Sequence, residues 1–264
     1  NYHLSSNPPW HYSLTWIFVT TPILYLVLFF CGFIFYTSKL FYNVKKFIKN
    51  ENLEQFLKDE TRGEDLVYYI LFIIPLLLVI MTNSTLYTGW RHLYFIYPSL
   101  LIFSINGYNI VKLNLFKNKS LSINLIIFIL LIQITFTMYK FHPYQYAYFN
   151  LLAGKKAQNN FEVDYWGLSN KQAFEFILRN EKKSIINIGS AGPISLSNSL
   201  KILKIDERKR VIVTENINAD FIIDNHINWH GKYKKQRYKI PKNFKLLKEI
   251  LVDEIKIVSI YKKL

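Results

Sequence analysis

One cysteine, Cys31, serves the whole chain of 264 residues. It lies within a long apolar run, where it reads as a small packing residue, and a lone thiol excludes both an internal disulfide and a cysteine-based metal site. Acidic residues are also scarce, 18 Asp and Glu against 33 Lys and Arg, for a formal net charge of +15. No nucleic-acid-binding motif accompanies that charge, so basic loops at a membrane surface account for it better than a nucleic-acid partner. The second half contains no P-loop, nucleophile elbow or Cys-His pattern.

Apolar residues, by contrast, are abundant: 51% of the chain is hydrophobic and 17% aromatic. The mean hydropathy is nevertheless only +0.10, because the apolar runs fall before residue 142 and most of the charge follows it. A bilayer core needs about 20 helical residues. Four segments satisfy that length: 14–36, 66–82, 93–111 and 121–138, with Pro22, Pro75 and Pro98 inside the first three. The fold class expected is a membrane all-α domain of about four transmembrane helices over 1–141, followed by a small soluble α/β domain over 142–264. In that second domain 171–179 reads as a helix and 185–189, 210–214 and 219–224 as strands. The stretches 245–252 and 254–261 read as two strands or as a helix and a strand.

Charge orients the spans. Lys39, Lys45, Lys46, Lys49, Lys58 and Arg62 lie between the first and second spans, and Lys112, Lys117 and Lys119 between the third and fourth. The 83–90 loop has no Lys or Arg. The positive-inside rule then places both basic loops in the cytoplasm and both chain ends outside. In a bacterial cell that means a multi-pass inner-membrane protein with its C-terminal domain in the periplasm. The sequons Asn83-Ser84-Thr85 and Asn118-Lys119-Ser120 fall on opposite sides in this topology.

The richest segment is 142–168, HPYQYAYFNLLAGKKAQNNFEVDYWGL. Its His142, Pro143, Tyr148, Phe149, Asn150, Gly154, Asp164, Trp166 and Gly167 resemble the membrane-to-domain junction of the dolichyl-phosphate-mannose-protein mannosyltransferase-like group. These are GT-C class, glycosyltransferase family 39-like, membrane enzymes. In this chain Tyr165 stands between the Asp and the Trp. The opening Pro9, Trp10, His11, Tyr12, leading to Thr20, Thr21 and Pro22, resembles a loop before a mid-protein span in the same family. Gly89, Arg91, Tyr97 and Pro98 resemble its G-R-Y-x-x-x-x-Y-P-like motif, with Trp90 and His92 intervening.

The resemblance implies the C-terminal half of an enzyme that passes a sugar from a polyprenyl-phosphate carrier to a glycan, lipid or protein acceptor. It implies a catalytic Asp in a first outer loop upstream of Asn1, so no catalytic residue is assigned within this chain and the 264-residue piece is expected to be inactive alone. Substrate-binding candidates are Arg91, His92, Tyr94 and Tyr97, together with Trp10, His11, Asp164 and Trp166. Arg91 is the sole Lys or Arg on the outer side of its hairpin, and a guanidinium matches phosphate oxygens bidentately. An interfacial anchor in a Trp-Tyr belt is the competing reading of this turn.

Weaker signals are read as structural. Glu162 and Asp164, two apart, would share one face of an extended segment and anchor the soluble domain. Gly189 to Gly192 falls short of a dinucleotide fingerprint and suits a strand-to-helix turn. His226 and His230 have the i, i+4 spacing of a metal pair without a third ligand and read as a surface loop; no cofactor is expected, and a divalent-metal requirement stays open. A second functional class, a non-enzymatic multi-pass protein acting as a transporter subunit or assembly partner, stays open, although ionisable residues within the spans are too few for a solute path.

Overall fold

The structure, a computed structural model, describes residues 8–50, 60–86, 89–116, 119–154, 157–227 and 238–264. Lys58, Lys117, Asn118 and His230 fall outside them. Two compact units emerge among the described residues: those within 8–136 together with 149–152, and those within 137–148 together with 153–264. The whole is mostly helical, with a small mixed sheet in the second unit.

The first unit begins with α1 (Tyr12–Thr20) and α2 (Ile23–Asn50). These correct the expected first span, which is two helices rather than one. Pro22 lacks an N–H and drives the residue before it out of the helical region; Thr21 accordingly sits at φ −91°, ψ 135°. α3 (Glu60–Met81) continues through Pro75, which removes the donor that the Leu71 carbonyl would otherwise receive. A 3₁₀ turn, Arg91–Ile96, leads directly into α4 (Tyr97–Leu115). Pro98 therefore occupies the first turn of α4, where its missing N–H costs nothing, and not the interior of a span. α5 (Ser120–Lys140) follows.

Among the described residues three helical segments are long and apolar enough to cross a membrane: Ile23–Tyr42, Glu64–Met81 and Ser120–Lys140. α4 is not among them, since Ser104, Asn106, Tyr108, Asn109 and Lys112 dilute its apolar residues. It is instead packed closely on α2. A Cβ on Gly32 would fall 2.0 Å from the Phe103 carbonyl oxygen, and one on Gly107 would fall 1.9 Å from that of Leu28. The two backbones touch because both residues are glycine, the device by which helices associate where no hydrophobic effect drives them together. Ser104 Oγ adds a hydrogen bond to the Tyr25 carbonyl at 3.0 Å. α5 contrasts with this: Ile123 is its one buried residue among those described.

The second unit holds a five-stranded sheet of order β2-β1-β3-β5-β4. Its strands are β1 (Ile186–Ser190), β2 (Val211–Val213), β3 (Phe221–Asp224), β4 (Phe244–Val252) and β5 (Ile255–Lys263). β1 pairs in parallel with β2 and β3, while β5 pairs antiparallel with β3 and β4. The two C-terminal stretches are thus a β-hairpin, which settles the choice left open by their pattern. The expected helix is α7 (Asn170–Asn180), preceded by the short α6 (Ala157–Asn160). α7 buries Ala173, Phe174, Ile177 and Leu178 at amphipathic spacing. Between β1 and β2 run α8 (Leu196–Leu200) and α9 (Ile205–Lys209). The return from β2 to β3 crosses β1 at Gly189, whose absent Cβ would lie 2.2 Å from Asn216 Oδ1. Gly189 therefore serves a close backbone crossing, not a phosphate loop.

Candidate functional site

In the first unit the candidate residues cluster about Trp90. Its indole is buried, and Nε1 donates to Thr20 Oγ1 at 3.0 Å, while that hydroxyl donates to the Trp16 carbonyl at 2.7 Å. The ring stands edge-on to Tyr94, centroids 4.8 Å apart, and 5.8 Å from the ring of Tyr97. Leu93 and Ile96 bury the opposite side of the turn. The 3₁₀ turn is thereby fixed on its apolar side, with Arg91 half-buried and His92 and Tyr94 exposed. A fixed turn presenting a guanidinium, an imidazole and phenols can bind an anionic oxygen without ordering the backbone first.

Trp10 and His11 form the turn into α1, their rings edge-on at 5.5 Å. Both are exposed, and Trp10 borders a shallow cleft with Pro9, Tyr12, Val79, Asn83 and Leu86. Asn83, of the first sequon, sits here on an exposed turn at φ 47°.

Asn150 and Phe149 belong to this unit as well. Asn150 Nδ2 reaches the carbonyls of Phe18 and Thr21, its backbone N–H reaches that of Val19, and Phe149 packs on Trp16 with centroids 6.0 Å apart. Phe149 and Asn150 thus close the C-terminal end of α1.

Asp164 and Trp166 lie in the other unit. Residues 164–167 make a turn in which the Gly167 N–H donates to the Asp164 carbonyl at 3.1 Å. Gly167 has φ 67°, and a Cβ there would meet Ile194 Cγ2 at 2.5 Å; glycine is required on both counts. The turn leaves Trp166 57% exposed beside Tyr165 and sends the Asp164 side chain inward, with no exposure at all. Its Oδ1 accepts from Tyr146 Oη at 2.6 Å and from the Leu168 N–H at 3.0 Å. Its Oδ2 accepts from Asn225 Nδ2 at 2.9 Å, from the Ser169 N–H at 3.3 Å and from Ser169 Oγ. Burial pushes the carboxyl up from its usual range, against the pull of these donors. Tyr146 is pushed up as well, first by burial and then by the Asp164 charge. Asp164 thus joins the junction, the start of α7 and the end of β3 through one carboxylate, whereas Trp166 is the part of the motif open to a ligand.

The His226 ring is held by two side chains of the sheet. Its Nε2 is 2.9 Å from Ser259 Oγ and its Nδ1 is 3.7 Å from Asp224 Oδ2. Ser259 was not singled out in the sequence, because only the β3–β5 register brings it beside His226 from 33 positions away. Among the described residues no group of three or more His, Cys, Asp or Glu side chains is placed to hold a metal ion. Comparison of the chain with protein-family models, with curated proteins and with solved structures gives no match.

Proposed function

We propose that this chain is the C-terminal part of an integral membrane glycosyltransferase of the GT-C class. It would move a sugar from a polyprenyl-phosphate carrier to an acceptor on the outer side of the membrane. In this reading α2, α3, α4 and α5 are four spans, α4 shielded by α2, and the sheet-bearing unit is the extracytoplasmic domain, periplasmic in a bacterium. The observation that carries the reading is the turn Arg91–Ile96, tethered by Trp90 to Thr20. It gives the Gly89-Trp90-Arg91 motif a rigid seat at the N-terminal end of α4.

On this proposal Arg91 and His92 hold the carrier phosphate, and Tyr94 and Tyr97 border the sugar. A preorganised cation stabilises the charge that builds on the departing phosphate. The general base that takes the proton from the acceptor hydroxyl is assigned by the resemblance to an Asp on a segment outside this chain. Trp10, His11 and Trp166 are exposed aromatic and imidazole groups available to the lipid-linked sugar or its acceptor, and Asp164 shapes the junction that carries Trp166.

The test is binding of a polyprenyl phosphate to the full-length protein in nanodiscs. Arg91→Ala is expected to weaken binding by about 10-fold or more, about 1.4 kcal/mol, with Arg91→Lys intermediate because it keeps charge and loses the planar fork. Unchanged binding in Arg91→Ala would return the residue to interfacial anchoring. A second reading, a non-enzymatic membrane subunit, is favoured by α5, whose apolar surface is almost entirely left to lipid or to a partner.

A further inference from the structure

The sheet carries a second polar assembly that no sequence motif announced. Asp224, Ser259 and Glu249 occupy successive cross-strand positions on β3, β5 and β4. Residues directly opposite stand on the same face of a sheet, so the three side chains form a row. His226 joins it through Ser259 and Asp224, and Lys256 Nζ donates to Glu249 Oε1 at 2.7 Å. Tyr261, two residues from Ser259, stands on the same face. Its hydroxyl is pushed up by burial first, then by Asp224 and Glu249, against Lys256 and a hydrogen bond with Ser259. The cross-strand register and the His226 and Lys256 contacts make the row contiguous.

Position and exposure both suit a ligand. The strand order β2-β1-β3 reverses between β1 and β3, and open parallel sheets bind ligands beyond the carboxyl ends of the strands that flank such a reversal. Asp224 and His226 end β3 at that point. Beyond the end of β1, Gly192 has nothing within 4 Å of where a side chain would begin. The Asp224 and His226 side chains keep 21% and 25% of their surface exposed, and those of Lys256 and Glu249 45% and 27%, while Ser259 lies wholly buried beneath them. His226 is also held at φ 54°, with its N–H bonded to Asp224 Oδ1 at 2.9 Å. Left-handed backbone at a bulky residue persists where surroundings impose it, and such positions concentrate at functional sites.

The chemistry narrows the ligand. Two carboxylates face one lysine, so a phosphate or carboxylate ligand meets net repulsion. Hydroxyl groups that both donate and accept match carboxylates, imidazole, ammonium and phenol together, and the ring of Tyr261 offers an apolar edge. We propose that the open members of this row, Asp224, His226, Glu249, Lys256 and Tyr261, with buried Ser259 holding the His226 ring in place, bind a neutral carbohydrate. The site differs in charge and residues from the phosphate turn at Arg91 and stands whether or not the chain transfers a sugar.

The test is saturation-transfer NMR on the full-length protein in nanodiscs, with maltotriose, chitotriose and mannotriose at millimolar concentration and glucose 6-phosphate as the charged comparison. At least one neutral trisaccharide is expected to bind, more tightly than the phosphorylated sugar. Its affinity should fall 10-fold or more in Asp224→Asn and in Glu249→Gln. Glu249→Gln is the decisive variant, because its half-exposed site accepts the isosteric amide without loss of fold, as the near-UV circular dichroism would verify. Binding by none of the three neutral sugars, preference for the phosphorylated one, or binding unchanged in folded Glu249→Gln overturns the proposal.

Discussion

The side-chain amide of Asn150 donates to the main-chain carbonyl of Thr21 at 2.6 Å, and the same nitrogen reaches the carbonyl of Phe18 at 2.5 Å. The helical partner of the Phe18 carbonyl would be the N–H of residue 22, which is proline and has none. A residue far along the chain therefore repairs the break that Pro22 makes, its backbone N–H serving Val19 at 2.8 Å as well. Asn150 is buried, so the carbonyls it serves have no ready access to water.

Asn150→Ala is expected to destabilise the first unit by about 1–3 kcal/mol, the cost of leaving buried acceptors unmet. Asn150→Asp should be no better, since it offers those carbonyls no donor at neutral pH. Thermal unfolding of the protein in nanodiscs checks both, and an unshifted midpoint in either would refute the capping role.

The α2–α4 contact makes a separate prediction. With a Cβ on Gly107 placed 1.9 Å from the Leu28 carbonyl oxygen, Gly107→Ala forces the two backbones apart and also stretches the Ser104 to Tyr25 hydrogen bond. Overpacking of this kind costs about 1–3 kcal/mol. Gly192→Ala, where the space is open, is the comparison that should leave stability near wild type. Equal midpoints for Gly107→Ala and wild type would show that the helices do not meet at these glycines.

Asp164 gives the second unit a distinct pH response. Its folded-state carboxyl is raised by burial above the unfolded value. The folded form then binds the proton more tightly, so this group's contribution is full below the unfolded value near 3.8 and fades as pH rises through the folded one. Asp220 works oppositely: Lys183 and the Asn187 N–H hold its carboxyl low, although burial acts the other way. Its contribution is present above the unfolded value and lost as pH falls. Asp164→Asn should remove the first slope and leave the second, besides costing about 1–3 kcal/mol because an amide nitrogen now meets the donors of Ser169 or Tyr146. Melting curves of wild type and variant between about pH 2 and about 7 read the difference; parallel curves would show that Asp164 does not titrate with folding.

Much of the architecture was legible because it depends on local pattern. The amphipathic spacing of Phe174, Ile177 and Leu178 marks α7, and short apolar runs bounded by Gly and Asn mark β1 and β3. The break at Pro22 and the placement of Pro98 escaped a reading by hydrophobic length, although the rule for residues preceding proline was available in Thr21. At the sites, Gly167 and Asp164 are visible as a motif, yet what Asp164 does depends on Tyr146, Ser169 and Asn225, which lie 18, 5 and 61 residues away. The Asp224, Ser259 and Glu249 row was illegible for the same reason: strand register creates it, and no spacing in the chain encodes it.

The two ends of the sheet differ in how soon they can assemble. Val252 pairs with Ile255 across Asp253 and Glu254, both at positive φ, 47° and 67°. This is the two-residue reversal whose twist suits a hairpin, and such a pair closes on the microsecond scale. The parallel strands have no such shortcut, since each of their pairings waits on a crossover. β5 is then expected to present the edge against which β3 docks, so that amides of the β4–β5 hairpin gain protection before those of β1, β2 and β3.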